Sequence, residues 1–163
     1  MTKREFVQKI LSAAEEAQAK GARFNLAVLC AQAAHESGWG MSKLALRANN
    51  LFGIKATPSW KGPRISMKTW EVYNGVRHDN VPASWRVYPN YAVCILDYAE
   101  IIATRRWFKA ALEHLDDAEA FLRALLPAPG KPGWATDPQY FEKVRAAARL
   151  VESLGGPAWE VNA

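Results

Sequence analysis

The sequence predicts an α+β fold, mainly α, in which one small β-hairpin interrupts a run of helices. Three observations predict it. Apolar residues recur at three- and four-residue spacing along most of the chain. Only one stretch, "ISMKTWEVY", clearly alternates, and it runs into Asn74-Gly75, a dipeptide suited to a tight hairpin turn. Capping residues stand at the head of several helical runs. Half of the 163 residues are apolar and 23% are charged, ordinary globular composition, and no repeat, linker or low-complexity segment divides the chain. One domain over residues 1–163 is therefore expected, with a hairpin lobe at about 57–88.

The elements follow in order. Thr2 with Glu5 forms a capping box ahead of Phe6, Val7, Ile10, Leu11, Ala14 and Ala17, and this helix stops near Lys20-Gly21. A second helix begins around Asn25, carries Leu26, Leu29, Cys30 and Ala33 on one stripe, and ends at Ser37-Gly38. A short third runs from about Ser42 to Ala48 and gives way to "NNLFGIK". The hairpin follows, its first strand from Arg64 to Tyr73, with "WRVY" as a strand further on. Asn90 opens a long apolar helix through "YAVCILDYAEIIATRR". "WFKAALEHL" and "DAEAFLRALL" read as two short helices, "PAPGKPG" as a loop. Asp137-Pro138 is an N-cap and first-turn pair for a last helix ending near Leu154-Gly155.

Composition narrows the function. The net charge of +5 suits an anionic polymer. No Lys/Arg run exceeds two residues and no nucleic-acid-reading motif is present, so a nucleic-acid partner is not expected. "MTKREFVQKI" lacks a signal-peptide core and no run approaches membrane-spanning length. Synthesis in the cytoplasm without membrane insertion is expected, with delivery by another system if the protein acts outside. Trp39, Trp60, Trp70, Trp85 and Trp134 fall in loop or hairpin stretches, where a ring caps packing or stacks on a sugar. Cys30 and Cys94 sit in apolar helical patterns that favour buried thiols, and their pairing is left open. His78 and His114 are isolated, so no metal site is expected.

Glu36 is the anomaly. It lies seven residues after Leu29 and three after Ala33, on their side of the second helix, and in its final turn. There the orphan carbonyls carry partial negative charge, so an ionised carboxylate costs on the order of 0.5 kcal/mol. Burial and dipole together favour the protonated acid, which is what a glycosidase general acid requires. An exposed glutamate at a frayed helix end is the structural alternative. His35 points about 100° away and reads as packing or surface.

"AHESGWG" followed by "NNLFGIK" resembles the glucosaminidase family of bacterial wall hydrolases, glycoside hydrolase family 73. "KTWEVYNG" and "WATDPQYFEKV" agree with it, so the resemblance runs over about residues 3 to 154. It implies a lysozyme-like helical domain with a β-hairpin lobe. It implies Glu36 as catalytic acid, Glu71 as second glutamate and Tyr140 as a tyrosine supporting the chemistry. Asn49, Asn50 and Phe52 match the groove floor, and Tyr73 and Trp134 are further candidates for substrate binding. His35 stands where a leucine is common and Trp134 where a tyrosine is common, which removes a phenolic hydroxyl at that position.

The expected activity is endo-β-N-acetylglucosaminidase action on peptidoglycan, cutting the β-1,4 bond between N-acetylglucosamine and N-acetylmuramic acid. Glu71 would activate water or stabilise positive charge at the anomeric carbon. Arg64, Arg77 and Arg86 are candidates for the wall's carboxylates, and Asp97 for holding the hairpin. No metal or organic cofactor is implied. Peptidoglycan strands are the expected partner of a monomer that acts as a phage endolysin or as an injected antibacterial effector, the latter with a cognate immunity protein over the site. The alternatives are a lytic transglycosylase and a wall-binding or assembly module without activity.

Overall fold

Six helices and one two-stranded sheet make up the computed structural model, which describes residues 1–160 except the side chains of residues 71–73. The expectation of a mainly helical, lysozyme-like α+β fold with a hairpin holds. Helix α1 (Lys3–Ala19) starts at the capping box: Thr2 Oγ1 accepts from the Glu5 amide at 3.1 Å, and Glu5 Oε2 accepts from the Thr2 amide at 2.7 Å. Helix α2 (Leu26–Ser37) is capped by Asn25, whose Oδ1 accepts from Val28 N. Nine of its twelve residues are buried, four of them alanines that let neighbouring helices approach closely. It packs against α1, α5 (Ala118–Ala124) and, most extensively, α6 (Tyr140–Ser153). Helix α4 (Tyr91–Thr104), capped by Asn90 Oδ1, covers α1 from the other side.

After α3 (Lys43–Ala48) the chain enters the hairpin of β1 (Arg64–Tyr73) and β2 (Val76–Arg86), paired antiparallel. Asn74 and Gly75 both take positive φ, 51° and 75°, as a type I′ turn needs. Register shifts after Thr69↔Val81, and Glu71 pairs with His78, so Asp79 and left-handed Asn80 together oppose Trp70 as a bulge. The base of the hairpin is locked to α4. Arg86 Nη1 donates to both carboxylate oxygens of Asp97, 2.9 and 3.2 Å, the Tyr88 hydroxyl donates to the same carboxylate, and the guanidinium lies over Trp60.

Several expectations need correction. Val87 and Tyr88 lie beyond the ladder, because their amides bond Pro63 O and Ala48 O instead. "WFKAALEHL" tightens into a 3₁₀ turn at Lys109–His114. The last helix begins at Tyr140: Asp137 caps a turn, accepting from the Gln139 amide and from Lys143 Nζ, and its carbonyl accepts from Tyr140 N. Cys30 and Cys94 are buried and free. Among the described residues, no helix is long and apolar enough to cross a membrane.

Candidate active site

Glu36 is delivered by the end of α2 and by the turn that stops it. Ser37 Oγ donates to Ala33 O and accepts from Gly40 N, which folds the chain back on itself. Gly38, Trp39 and Gly40 follow with φ of 56°, 59° and 78°. A Cβ on Gly40 would stand 2.7 Å from Met1 Cε and 2.9 Å from the Phe6 ring, so this turn needs glycine there. The abrupt exit leaves Glu36 half-buried on the core side of the last turn.

The Tyr140 hydroxyl, brought by the first residue of α6, donates to Glu36 Oε1 at 2.7 Å. Behind it lies a buried relay. Tyr98 of α4 donates to Gln32 Oε1 at 2.7 Å, and Gln32 Nε2 donates to the Tyr140 oxygen at 3.0 Å. The direction of this relay follows from its closed end. Reversed, it would leave the fully buried Tyr98 O–H without the acceptor it has here. With Tyr98 donating, the Gln32 amide turns its NH2 toward Tyr140, and the Tyr140 hydrogen goes to Glu36. Oε1 is thereby occupied as an acceptor, and Oε2 is left to carry the acid proton.

Burial raises the Glu36 carboxyl above its ordinary range, against the smaller lowering effects of the Tyr140 hydrogen bond and of His35. Burial also pushes Tyr140 and Tyr98 well above the usual tyrosine range, so both hydroxyls stay neutral donors. The arrangement favours the protonated form of the carboxyl and sets it beside a fixed hydroxyl dipole.

The other candidates divide. His35 packs its ring edge-on against Tyr140, 5.6 Å between centroids. Asn50 is buried and its amide is used within the chain, donating to Ile54 O and Arg86 O and accepting from Ile54 N, so it shapes the loop. Asn49, left-handed at the end of α3, donates to Tyr88 O. Phe52 stacks on Tyr98 at 4.5 Å, and Trp134 meets the same ring at 5.2 Å. Both line a recess with Ile101, Arg105 and Phe108, which Glu36 itself does not line. The proposed roles of Glu71 and Tyr73 fall on side chains outside the described residues; the Glu71 backbone pairs with His78. Arg64 donates to Thr57 O and Trp60 O, Arg77 pairs with Asp79, and Arg86 pairs with Asp97, so all three arginines have partners within the chain. Of the loop tryptophans, Trp39 and Trp60 pack on Phe6 and Tyr88.

Sequence reasoning missed Gln32 and Tyr98. The signal for Gln32 was available: a polar residue one helical turn before Glu36, in an otherwise alanine-rich run, shares its face. Tyr98 carries no such signal, since a tyrosine in an apolar helix reads as core.

The family model matching residues 11–152 is described as Glucosaminidase, mannosyl-glycoprotein endo-beta-N-acetylglucosaminidase. The peptidoglycan hydrolase FlgJ of Vibrio parahaemolyticus is 37% identical over 157 residues, covering 91% of this chain and 47% of that protein. The exo-glucosaminidase LytG of Bacillus subtilis is 36% identical over 120 residues, covering 73% of this chain and 41% of that protein. A solved structure, a C-terminally truncated glycoside hydrolase domain from Salmonella typhimurium FlgJ, superposes with a TM-score of 0.68 at 30% identity, covering 93% of this chain and 99% of that domain. The chain spans about half the length of the curated relatives it matches.

Proposed function

The chain belongs to the glucosaminidase family, and from that premise we propose that it is a peptidoglycan hydrolase, an endo-β-N-acetylglucosaminidase cutting the β-1,4 bond that follows N-acetylglucosamine. The observation that carries this reading is the protonated-acid geometry at Glu36: half-buried, raised by burial, and held at one oxygen by Tyr140.

Glu36 gives its proton to the departing glycosidic oxygen while the sugar ring moves toward an oxocarbenium ion. Acid catalysis of this kind contributes about 100- to 10,000-fold. As the proton leaves, Glu36 becomes a carboxylate, and the Tyr140 O–H already aimed at Oε1 stabilises the new charge without reorganising. Glu71 or the substrate's own N-acetyl group meets the positive charge at the anomeric carbon. Water then adds there to form the new C–O bond of the reducing end, and the proton that water gives up restores the Glu36 acid. Asn49 and Asn50 hold the loop that sets Phe52 against Tyr98, and the half-buried Trp134 beside them offers a ring to a sugar.

Digestion of purified sacculi tests the reaction. Reducing N-acetylglucosamine ends on multi-sugar fragments support it. Anhydro-muramyl ends identify a lytic transglycosylase instead, and release of single N-acetylglucosamine units identifies exo action, as in the name of the Bacillus relative. Glu36→Gln separates an enzyme from a wall-binding module, since a variant that clears walls like the parent removes the acid from the mechanism. Bacteriolytic action as an endolysin or injected effector belongs to the same reading. A small protein from the producer that binds tightly and blocks cleavage supports the effector case.

A further inference from the structure

Of the seven tryptophans, six are buried or half-buried. Trp70 is the exception, 54% exposed on β1. An indole left in water forgoes the burial that stabilises the others, and this one is held in place. The Arg77 guanidinium lies over its ring, 4.8 Å from the centroid, and Arg77 Nε donates to Asp79 Oδ1 at 2.9 Å. Asp79 and the left-handed Asn80 form the bulge opposite Trp70, a feature that re-aims side chains on a sheet. The ring borders a hollow of about 480 Å³ whose other lining residues are Lys68, Thr69, Asp79 and Asn80. Among the described residues, the exposed Lys68 ammonium and Asn80 amide have no hydrogen-bond partner.

One flat apolar surface ringed by polar side chains matches a sugar, which presents C–H groups on its face and hydroxyls around its edge. A docking protein or a bilayer needs several apolar groups together, and Trp70 is the one large apolar side chain in this hollow. Glu36 does not line it, so the hollow is separate from the acid. We propose that Trp70 is the platform of a second glycan-binding site, which takes an N-acetylated amino sugar of the wall with its apolar face on the indole. This rests on the peptidoglycan reading above. The Asn80 amide, both donor and acceptor, and the Lys68 ammonium meet the acetamido group and hydroxyls at the sugar's edge. Arg77 covers one face of the indole and Asp79 fixes Arg77, so the ring is set before the sugar arrives and less freedom is lost on binding. A second point of attachment then keeps the chain on the wall by raising its effective concentration at the glycan.

The test is an NMR titration of the full chain carrying Glu36→Gln, in which bound glycan is not cut and each indole N–H reports separately. Trp70→Phe identifies the Trp70 signal by its loss. Three soluble probes are used: chitooligosaccharide, peptidoglycan strands stripped of stems, and cello-oligosaccharide of the same length, which lacks acetamido groups. The Trp70 signal is expected to move saturably with the first two and little with the third. In pelleting with purified sacculi, Trp70→Ala is expected to weaken binding by about ten-fold. Asn80→Gly, which suits the left-handed backbone, weakens it in the same direction, and Trp70→Phe, which keeps a ring, retains much of it. Unmoved signals from the other indoles show that each variant is folded. A Trp70 signal that ignores both N-acetylated probes, an equal response to cello-oligosaccharide, or undiminished sacculus binding by Trp70→Ala overturns the proposal. Cleavage by the otherwise unsubstituted chain is assayed separately. A chain that binds through Trp70 yet cuts nothing defeats the hydrolase reading and leaves this site standing.

Discussion

A carboxyl taken out of water is destabilised as an anion, and that cost is the residue-scale signature of Glu36. Its folded value lies above the ordinary 4.5, so the stability it contributes is complete below about that pH and is lost as pH rises through the folded value. Glu36→Gln keeps an oxygen for the Tyr140 hydroxyl and removes the charge. We expect at least about 100-fold loss of wall cleavage together with a higher melting temperature, the gain larger at pH 8 than at pH 4. Thermal melts at the two pH values, set beside sacculus-clearing assays, check both halves. Tyr140→Phe removes a bond that lowers the Glu36 value. The acid then keeps its proton to higher pH, and the alkaline limb of kcat should move upward while kcat itself falls. Tyr98→Phe leaves Gln32 Oε1 without its donor, frees the amide to flip and costs about 1–3 kcal/mol. Its alkaline limb should shift in the same direction, a change that loss of packing alone would not give. Helical spacing and the family motif both single out Glu36 in the sequence, whereas Tyr140 is singled out by the motif alone, and the hydrogen bond between them is seen only in the fold. Gln32 and Tyr98 act through other side chains, and such a chain of contacts exists only once three helices have packed.

At the scale of elements, local chemistry wrote most boundaries. Thr2, Asn25, Ser42, Asn90 and Asp117 each accept from a nearby amide at a helix start, and such caps can be read directly. The misreadings arose where bonds outside the regular helix and ladder pattern competed. Tyr88 leaves the ladder for Ala48 O, and Asp137 spends its carboxylate on Gln139 and Lys143 before the helix starts. Trp70 stands 54% exposed on the hairpin, with the Arg77 guanidinium over its ring. The lock between β2 and α4 supplies a stability prediction. Arg86 and Asp97 are each mostly buried, with side-chain exposures of 9% and 15%. Asp97→Ala strands the guanidinium and should cost about 3–5 kcal/mol in urea unfolding, with the hairpin amides losing hydrogen-exchange protection first. Burial pushes the Cys30 thiol up to about 12 and that of Cys94 higher still. Neither should alkylate in the native protein at pH 8, and mass spectrometry should find both labelled in urea.

Across the whole molecule, a helical frame carries Glu36 and a hairpin is bolted to that frame at its base. The net charge of +5 sets the chain toward an anionic polymer. The KM for sacculi should therefore rise several-fold between low and physiological salt, while that for neutral chitooligosaccharide barely changes. The proposed acid catalysis requires Glu36 to hold its proton where a free glutamate would have lost it. An NMR titration that follows the Glu36 side-chain carboxyl in the intact chain measures this directly. The account predicts a midpoint above the ordinary 4.5, moving higher still in Tyr140→Phe. A midpoint at or below 4.5, unmoved by that substitution, would contradict it.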